Sequence, residues 1–292
     1  MPDKNSIANF KTLARTISLV ENEVENFESL LQELQPKNVP VIGFTGPPGA
    51  GKSTLLNAVV GFLLDEKKRI GLVLIDPSSP FNFGALLGDR LRLSAHFNND
   101  HLFIRSVASR GSLGGLSDKI IEVVEVMRSY PFDYIFIETV GVGQSEVEIA
   151  GLADITFVVL VPESGDAVQA MKAGLMEIAD VFVINKADRA DADAVVNSLS
   201  HQLQMSGRDN IPILKTVAVE CKGVKELIDA IHLWENNSEN ESRKIILLAE
   251  KALRIISKGR MKNFDREKMK SELSKKMSAS NFNLYSFVKQ YL

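Results

Sequence analysis

Gly46-Pro47-Pro48-Gly49-Ala50-Gly51-Lys52-Ser53 stands between the apolar run Val39-Pro40-Val41-Ile42-Gly43-Phe44 and the helix-forming run Thr54-Leu55-Leu56-Asn57-Ala58-Val59-Val60. The order is strand, glycine-rich loop, helix, and the loop fits G-x-x-x-x-G-K-[ST]. In that pattern backbone N–H groups cradle phosphates, Lys52 reaches the terminal phosphates and the Ser53 hydroxyl ligates Mg²⁺. The partial positive charge of the helix N-terminus adds to the same site. A nucleoside triphosphate is the expected ligand. Gly46, Gly49, Ala50, Gly51, Lys52, Ser53 and Thr54 are its expected phosphate-side contacts.

Outward from this loop the chain alternates between two kinds of segment. Arg69 to Asp76, His101 to Val107, Tyr134 to Thr139, Ile155 to Val161, Val181 to Asn185 and Ile213 to Val217 are short, β-rich apolar runs. Between several of them lie helical patterns at Ser117 to Ser129, Ala167 to Ile178, Ala192 to Gln204 and Val224 to Ile231. Nearly continuous apolar strands separated by helices predict an α/β fold of P-loop NTPase type, its mainly parallel sheet flanked by helices on both faces. Ligands then belong at the carboxyl ends of the strands.

Before the loop, Phe10, Leu13, Ile17, Val20, Val24, Phe27, Leu31 and Leu34 recur at steps of three and four. That spacing predicts one amphipathic helix, or two broken near Glu21-Asn22, packing on the nucleotide domain or on a partner. After Trp234, the polar stretch Glu235 to Glu241 reads as a linker, followed by helical segments carrying Ile245, Leu248, Ile255 and Ile256. The expected organisation is a helical extension over 1–38, a P-loop domain over 39–234, and a helical extension over 235–292 that serves as packing or as an oligomer arm.

Composition narrows the function. Lys plus Arg number 34 against 37 Asp plus Glu, a net charge of −3, so no basic excess points to nucleic acid or an anionic membrane. The single Cys221 excludes an internal disulfide framework and a multi-cysteine metal site, and it is expected to be a partly buried small side chain. Met1 to Asn5 lack the layout of a secretory signal, and the longest apolar run, around Ile155 to Val161, is of strand length. The expectation is a cytoplasmic protein.

Asn185-Lys186-Ala187-Asp188 follows the apolar run Val181 to Ile184. A carboxylate at that strand end accepts hydrogen bonds from the N1–H and 2-amino groups of guanine, which adenine does not offer, so Asp188 is expected to select the base. Asn185 would bond its other edge, Lys186 would lie over it by its stem, and Thr216-Val217-Ala218 would offer backbone N–H groups to its carbonyl. Ile135-Phe136-Ile137-Glu138-Thr139-Val140-Gly141 ends a strand in a carboxylate placed to hold a Mg²⁺-bound or attacking water. Gly141 would let a backbone N–H approach the γ-phosphate. Asp76 and Asp89 are the other acids expected to face the metal, although Mg²⁺ takes few carboxylates directly.

These stretches resemble the MeaB/ArgK group of GTPases, chaperones of adenosylcobalamin-dependent methylmalonyl-CoA mutase within the SIMIBI class of P-loop proteins. The likeness rests on the phosphate loop through Thr54, on Asp76-Pro77-Ser78-Ser79-Pro80 with Leu87-Gly88-Asp89-Arg90, and on Ser109 to Gly115. It continues in Glu138-Thr139-Val140-Gly141-Val142-Gly143-Gln144-Ser145-Glu146, in Gly165-Asp166 with Gln169 and Lys172, and in Asn185 to Asp188. The resemblance implies that Lys52, Asp89 and Glu138 serve catalysis, that Ser53, Asp76, Asp89 and Glu138 form the metal and water shell, and that GTP, GDP and Mg²⁺ are bound. It also implies an acyl-CoA mutase partner, a homodimer, and a switch at Gly165 to Gly174 containing Lys172. Phe83 and Val217 depart from the group's usual small residue and serine.

No arginine is assigned in cis to the transition state; Arg90, Arg92, Arg105 and Arg110 are the candidates. Slow hydrolysis, accelerated by a partner that orders the switches, is the resulting expectation. A nickel-insertion GTPase would share the nucleotide motifs but normally shows a Cys/His metal site, for which His96 and His101 are poor material. A transport-associated kinase is a further alternative, against which the guanine motif argues.

Overall fold

The computed structural model describes residues 10–76, 96, 99–108, 119–139, 145–162, 174–236, 240–261, 264–277 and 282–291. In chain order the described elements are α1 (Phe10–Glu21), α2 (Phe27–Gln32), β1 (Val41–Thr45), α3 (Lys52–Asp65), β2 (Ile70–Asp76), β3 (Leu102–Ala108), α4 (Ile120–Arg128), β4 (Tyr134–Glu138) and α5 (Ser145–Glu148). They continue with β5 (Ile155–Leu160), α6 (Leu175–Ile178), β6 (Val181–Asn185), α7 (Ala192–Met205), β7 (Ile213–Thr216), α8 (Val224–Glu235), α9 (Asn240–Met261), α10 (Arg266–Met277) and α11 (Leu284–Val288). Short 3-10 turns at Ile149–Gly151, Ala218–Glu220 and Lys289–Tyr291 complete the set.

Seven strands form one sheet in the order β3-β2-β4-β1-β5-β6-β7, and every pairing is parallel. β1 lies at its centre. Its residues alternate between faces while all stay buried, which is why the run shows no polar periodicity. Ile42 and Phe44 face a core built with Leu55, Leu56, Val59, Val60 and Leu63 of α3 and Leu227, Ile228 and Ile231 of α8. On the other face Val41 joins Ile135, Ile137 and Val73 against α1 and α4. Toward the β7 edge, Val158, Leu160, Phe182 and Ile184 pack against Leu199 and Leu203 of α7.

The six strand runs expected outside β1 all form, with bounds within one residue of expectation. The N-terminal segment is two helices, separated by residues 22–26, where Glu23 and Asn26 adopt left-handed backbone. Leu13, Ile17 and Val20 are fully buried against the sheet, so α1 is part of the main core rather than an appendage. The expected linker begins later than its polarity suggested: Glu235 extends α8, and α9 starts at Asn240. The described part of Ala167 to Ile178 is the four-residue α6.

The chain divides into two compact units, 1–247 and 248–292. The second is a small helical unit in which Phe287 is buried and Tyr291 packs against both Phe264 and Phe287, with ring centroids 5.4 Å apart in each pair. Among the described residues, no helix is long and apolar enough to cross a membrane.

Candidate functional site

The site begins where β1 ends. Gly46 takes φ 137°, and a Cβ there would stand 2.1 Å from the Val159 carbonyl oxygen, so only glycine lets the loop leave the sheet next to β5. Gly51, with φ 86°, is the N-cap of α3 and brings no side chain to cap that helix. A Cβ at Gly51 would lie 2.3 Å from Nδ2 of Asn185. The fourteen-residue α3 thus presents its N-terminus at the mouth of the sheet with glycine, not a capping hydroxyl or carboxylate, in front of it.

Lys52 and Ser53 open α3 and are both buried. The Lys52 ammonium donates to the carbonyl oxygens of Gly46 at 2.7 Å and Pro47 at 3.0 Å, so its charge is held inside the loop it belongs to. On β4 the strand alternation sends Tyr134, Phe136 and Glu138 to the α3 face. Glu138 thereby meets the first turn of α3, and the Ser53 hydroxyl donates to its Oε1 at 2.6 Å. Two oxygen donors of the hard, Mg²⁺-preferring kind stand together at one buried point, a donor set that fits that ion.

The base side is built from β6 and β7. Asn185 is 2% exposed, and its amide is engaged from both ends. Nδ2 donates to the Ala50 carbonyl at 2.9 Å, while Oδ1 accepts from the Thr216 hydroxyl at 3.1 Å and the Ala218 N–H at 3.2 Å. The amide thus ties the phosphate loop to the loop after β7 through three bonds, and Nδ2 has a second N–H besides the one given to Ala50. In that loop the Val217 N–H is bonded to the Lys222 carbonyl at 3.0 Å.

Lys186 adopts left-handed backbone, φ 56°, and turns the chain so that Asp188 emerges exposed. Ala187 N–H donates to the Thr216 carbonyl at 3.0 Å, which joins the two base-side loops. Lys222 sits beside them: its hydrogen bond to Glu220 raises its ammonium above the ordinary range, and the charges of Glu220 and Asp188 add to that. Cys221, expected to be partly buried, is exposed with φ 54°, because it ends the Ala218–Glu220 turn in left-handed backbone.

Other expected site residues fall differently. Asp76 closes β2, whose register pairs Leu74 with Glu138, so its backbone reaches the same sheet edge; its side chain lies outside the described set. Asp89, Gly141, Phe83, Lys172 and the arginines Arg90, Arg92 and Arg110 lie outside the described residues. Arg105 is not free to reach the transition state as it stands: its guanidinium is paired with Glu21 and bonded to Ser18 of α1. A feature the motifs did not point to is a pair of buried hydroxyls, with Thr139 donating to Thr45 at 3.0 Å.

A putative GTPase of Pyrococcus abyssi is 47% identical over 229 residues, covering 76% of this chain and 71% of that protein. The GTPase ArgK of Escherichia coli is 36% identical over 233 residues, covering 75% and 70%. The crystal structure of an LAO/AO transport system kinase superposes with a TM-score of 0.68 over 99% of this chain and 97% of that one; at 23% identity this likeness speaks for the fold. A family model described as methylmalonyl Co-A mutase-associated GTPase MeaB matches residues 13–275. With a seven-stranded parallel P-loop sheet beneath a phosphate loop and a guanine-type Asn-Lys-x-Asp turn, the chain belongs to the MeaB family and is a guanine-nucleotide-binding GTPase.

Proposed function

We propose that this GTPase is a chaperone for an adenosylcobalamin-dependent acyl-CoA mutase of the methylmalonyl-CoA type, assisting its assembly, protection or reactivation. The observation that carries the reading is the family match over residues 13–275, whose description names association with that mutase. In this reading GTP lies along the carboxyl edge of the sheet. Gly46, Gly49, Ala50, Gly51, Ser53 and Thr54 receive its phosphates at the N-terminus of α3, and Lys52 transfers hydrogen bonds from the Gly46 and Pro47 carbonyls to the terminal phosphates. Asp188 accepts from the guanine N1–H and 2-amino groups, Lys186 covers the base with its stem, and the backbone of Thr216, Val217 and Ala218 flanks its carbonyl.

Glu138 orients water against the γ-phosphate and shares with Ser53 the task of receiving Mg²⁺, assisted by Asp76 and Asp89. When bound, Mg²⁺ supplies charge neutralisation on the phosphate oxygens. Gly141 brings a backbone N–H toward the γ-phosphate, and residues 165–174 with Lys172 relay the nucleotide state to the mutase. The chain works as a homodimer in the cytoplasm; Leu253, Ile255 and Ile256, exposed on α9, are apolar surface that a second copy would cover.

The test is capture of purified methylmalonyl-CoA mutase on the immobilised protein held with a non-hydrolysable GTP analogue, followed by GTP turnover with and without the mutase. Retention together with faster turnover is expected. A mutase that is neither retained nor able to change turnover at saturation overturns the chaperone reading and leaves the GTPase assignment standing.

A further inference from the structure

The two threonines Thr45 and Thr139 stand on neighbouring parallel strands, one residue past the paired Phe44 and Glu138. Thr139 N–H donates to the Phe44 carbonyl at 3.0 Å, so the β1–β4 ladder continues to this point. Strand alternation separates adjacent residues: Glu138 faces α3 with Tyr134 and Phe136, whereas Thr139 falls on the face of Ile135 and Ile137. Thr45 likewise falls on the face of Val41. The two hydroxyls, 0% and 1% exposed, meet across the strands at 3.0 Å on the side of the sheet away from Ser53.

Position gives this bond its consequence. Thr45 immediately precedes Gly46, the strained start of the phosphate loop and the carbonyl nearest the Lys52 ammonium. Thr139 immediately follows Glu138, the carboxylate bonded to Ser53. A buried hydroxyl pair is costly unless bonded, so its geometry is held firmly, and each residue transmits that constraint one peptide onward. The phosphate loop has further supports, the Asn185 bond to Ala50 among them, but the end of β4 has this side-chain tie to β1.

We propose that Thr139 is a positioning residue for Glu138: by bonding Thr45 it fixes the end of β4 laterally against the root of the phosphate loop and so sets the Glu138 carboxylate over Ser53. This rests on the reading that Glu138 and Ser53 receive Mg²⁺. Loss of the hydroxyl therefore uncouples metal from nucleotide while leaving the diphosphate cradle in place.

The experiment compares full-length wild type, Thr139→Val, Thr139→Ser, the double variant Thr45→Val with Thr139→Val, and Glu138→Gln. Three quantities are read: GDP affinity in EDTA, the factor by which Mg²⁺ tightens GDP, and kcat and KM for GTP, with thermal unfolding as the check on folding. For Thr139→Val we expect GDP affinity in EDTA within about twofold of wild type, a Mg²⁺ factor and a kcat each lowered about tenfold, and KM little changed, the scale of one buried hydrogen bond. Thr139→Ser restores all three. The double variant keeps the reduced Mg²⁺ factor.

A folded Thr139→Val or double variant with a wild-type Mg²⁺ factor and kcat overturns the proposal, as does a uniform loss that includes GDP affinity in EDTA. Glu138→Gln separates the two levels. If it lowers the Mg²⁺ factor and the Thr139 variants do not, the positioning role alone fails. If Glu138→Gln leaves the factor unchanged, the metal reading of Glu138 fails and the proposal falls with it.

Discussion

The phosphate side and the base side of the site lie along one sheet edge but are built in opposite ways. On the phosphate side Lys52, Ser53 and Glu138 are buried and already bonded, the lysine to its own loop and the serine to the glutamate. On the base side the buried residue, Asn185, bonds only protein groups in the hydrogen bonds described above, and Asp188 stands exposed beyond it. Buried charges need internal partners to be tolerated at all, so the phosphate side is preorganised and a ligand must take over existing bonds. An exposed carboxylate needs none. Its discrimination arises only when a base desolvates it.

Four substitutions sharpen or break this contrast. Lys52→Ala removes the preorganised cation; GTP turnover, followed as kcat/KM, is expected to fall by roughly 10³, with little dependence on which purine is offered. Asp188→Asn acts in the opposite way. The amide presents a donor where guanine needs an acceptor, so GDP affinity is expected to drop about a hundredfold while xanthosine diphosphate, with its 2-oxo group, gains. Calorimetric titration with both nucleotides reads this directly, and unchanged preference would remove Asp188 from the base site.

Asn185→Ala strikes the tie between the two sides. Losing the bonds to Ala50, Thr216 and Ala218 is expected to weaken GDP about tenfold and to lower stability by about 2 kcal/mol, without altering base preference. A switch in preference instead would mean that Asn185 itself reads the base. The smallest effect on nucleotide is expected from Arg128→Met. Arg128 pairs with the buried Asp154 at 2.6 Å, and Asp154 also accepts from Val41 N–H at 2.9 Å, at the start of β1 and thus the opposite edge of the sheet. Breaking that pair costs about 3–5 kcal/mol of stability, measured by denaturant unfolding, and leaves the ratio of GTP to GDP affinity unchanged.

Much of the fold is legible in the sequence. Val41 to Phe44, Ile135 to Ile137 and Val181 to Ile184 are short, continuous apolar runs, and residues buried on both faces of a parallel sheet read as such runs. Elsewhere a local property is overruled by packing. Glu235 looked like the start of a polar linker but remains in α8, one side of which is anchored by Leu227, Ile228 and Ile231. Cys221, expected to be a partly buried small side chain, is exposed, because the turn around Val217 and Lys222 turns it outward. Arg105, one of four candidate arginines, is consumed by Glu21, a partner 84 residues earlier.

The sequence by itself determined the phosphate loop, the helix behind it and the class of sheet, since those depend on residue type and spacing within a single strand or turn. Tertiary structure alone decided what meets what. It put β1 between β4 and β5, placed α1 in the main core, and joined Ser53 to Glu138 across 85 residues and Asn185 to Ala50 across 135. It also set Thr45 against Thr139 across 94 residues. Such separations leave no periodic trace along the chain, because they are fixed by strand order and register, which emerge only when the whole sheet is packed.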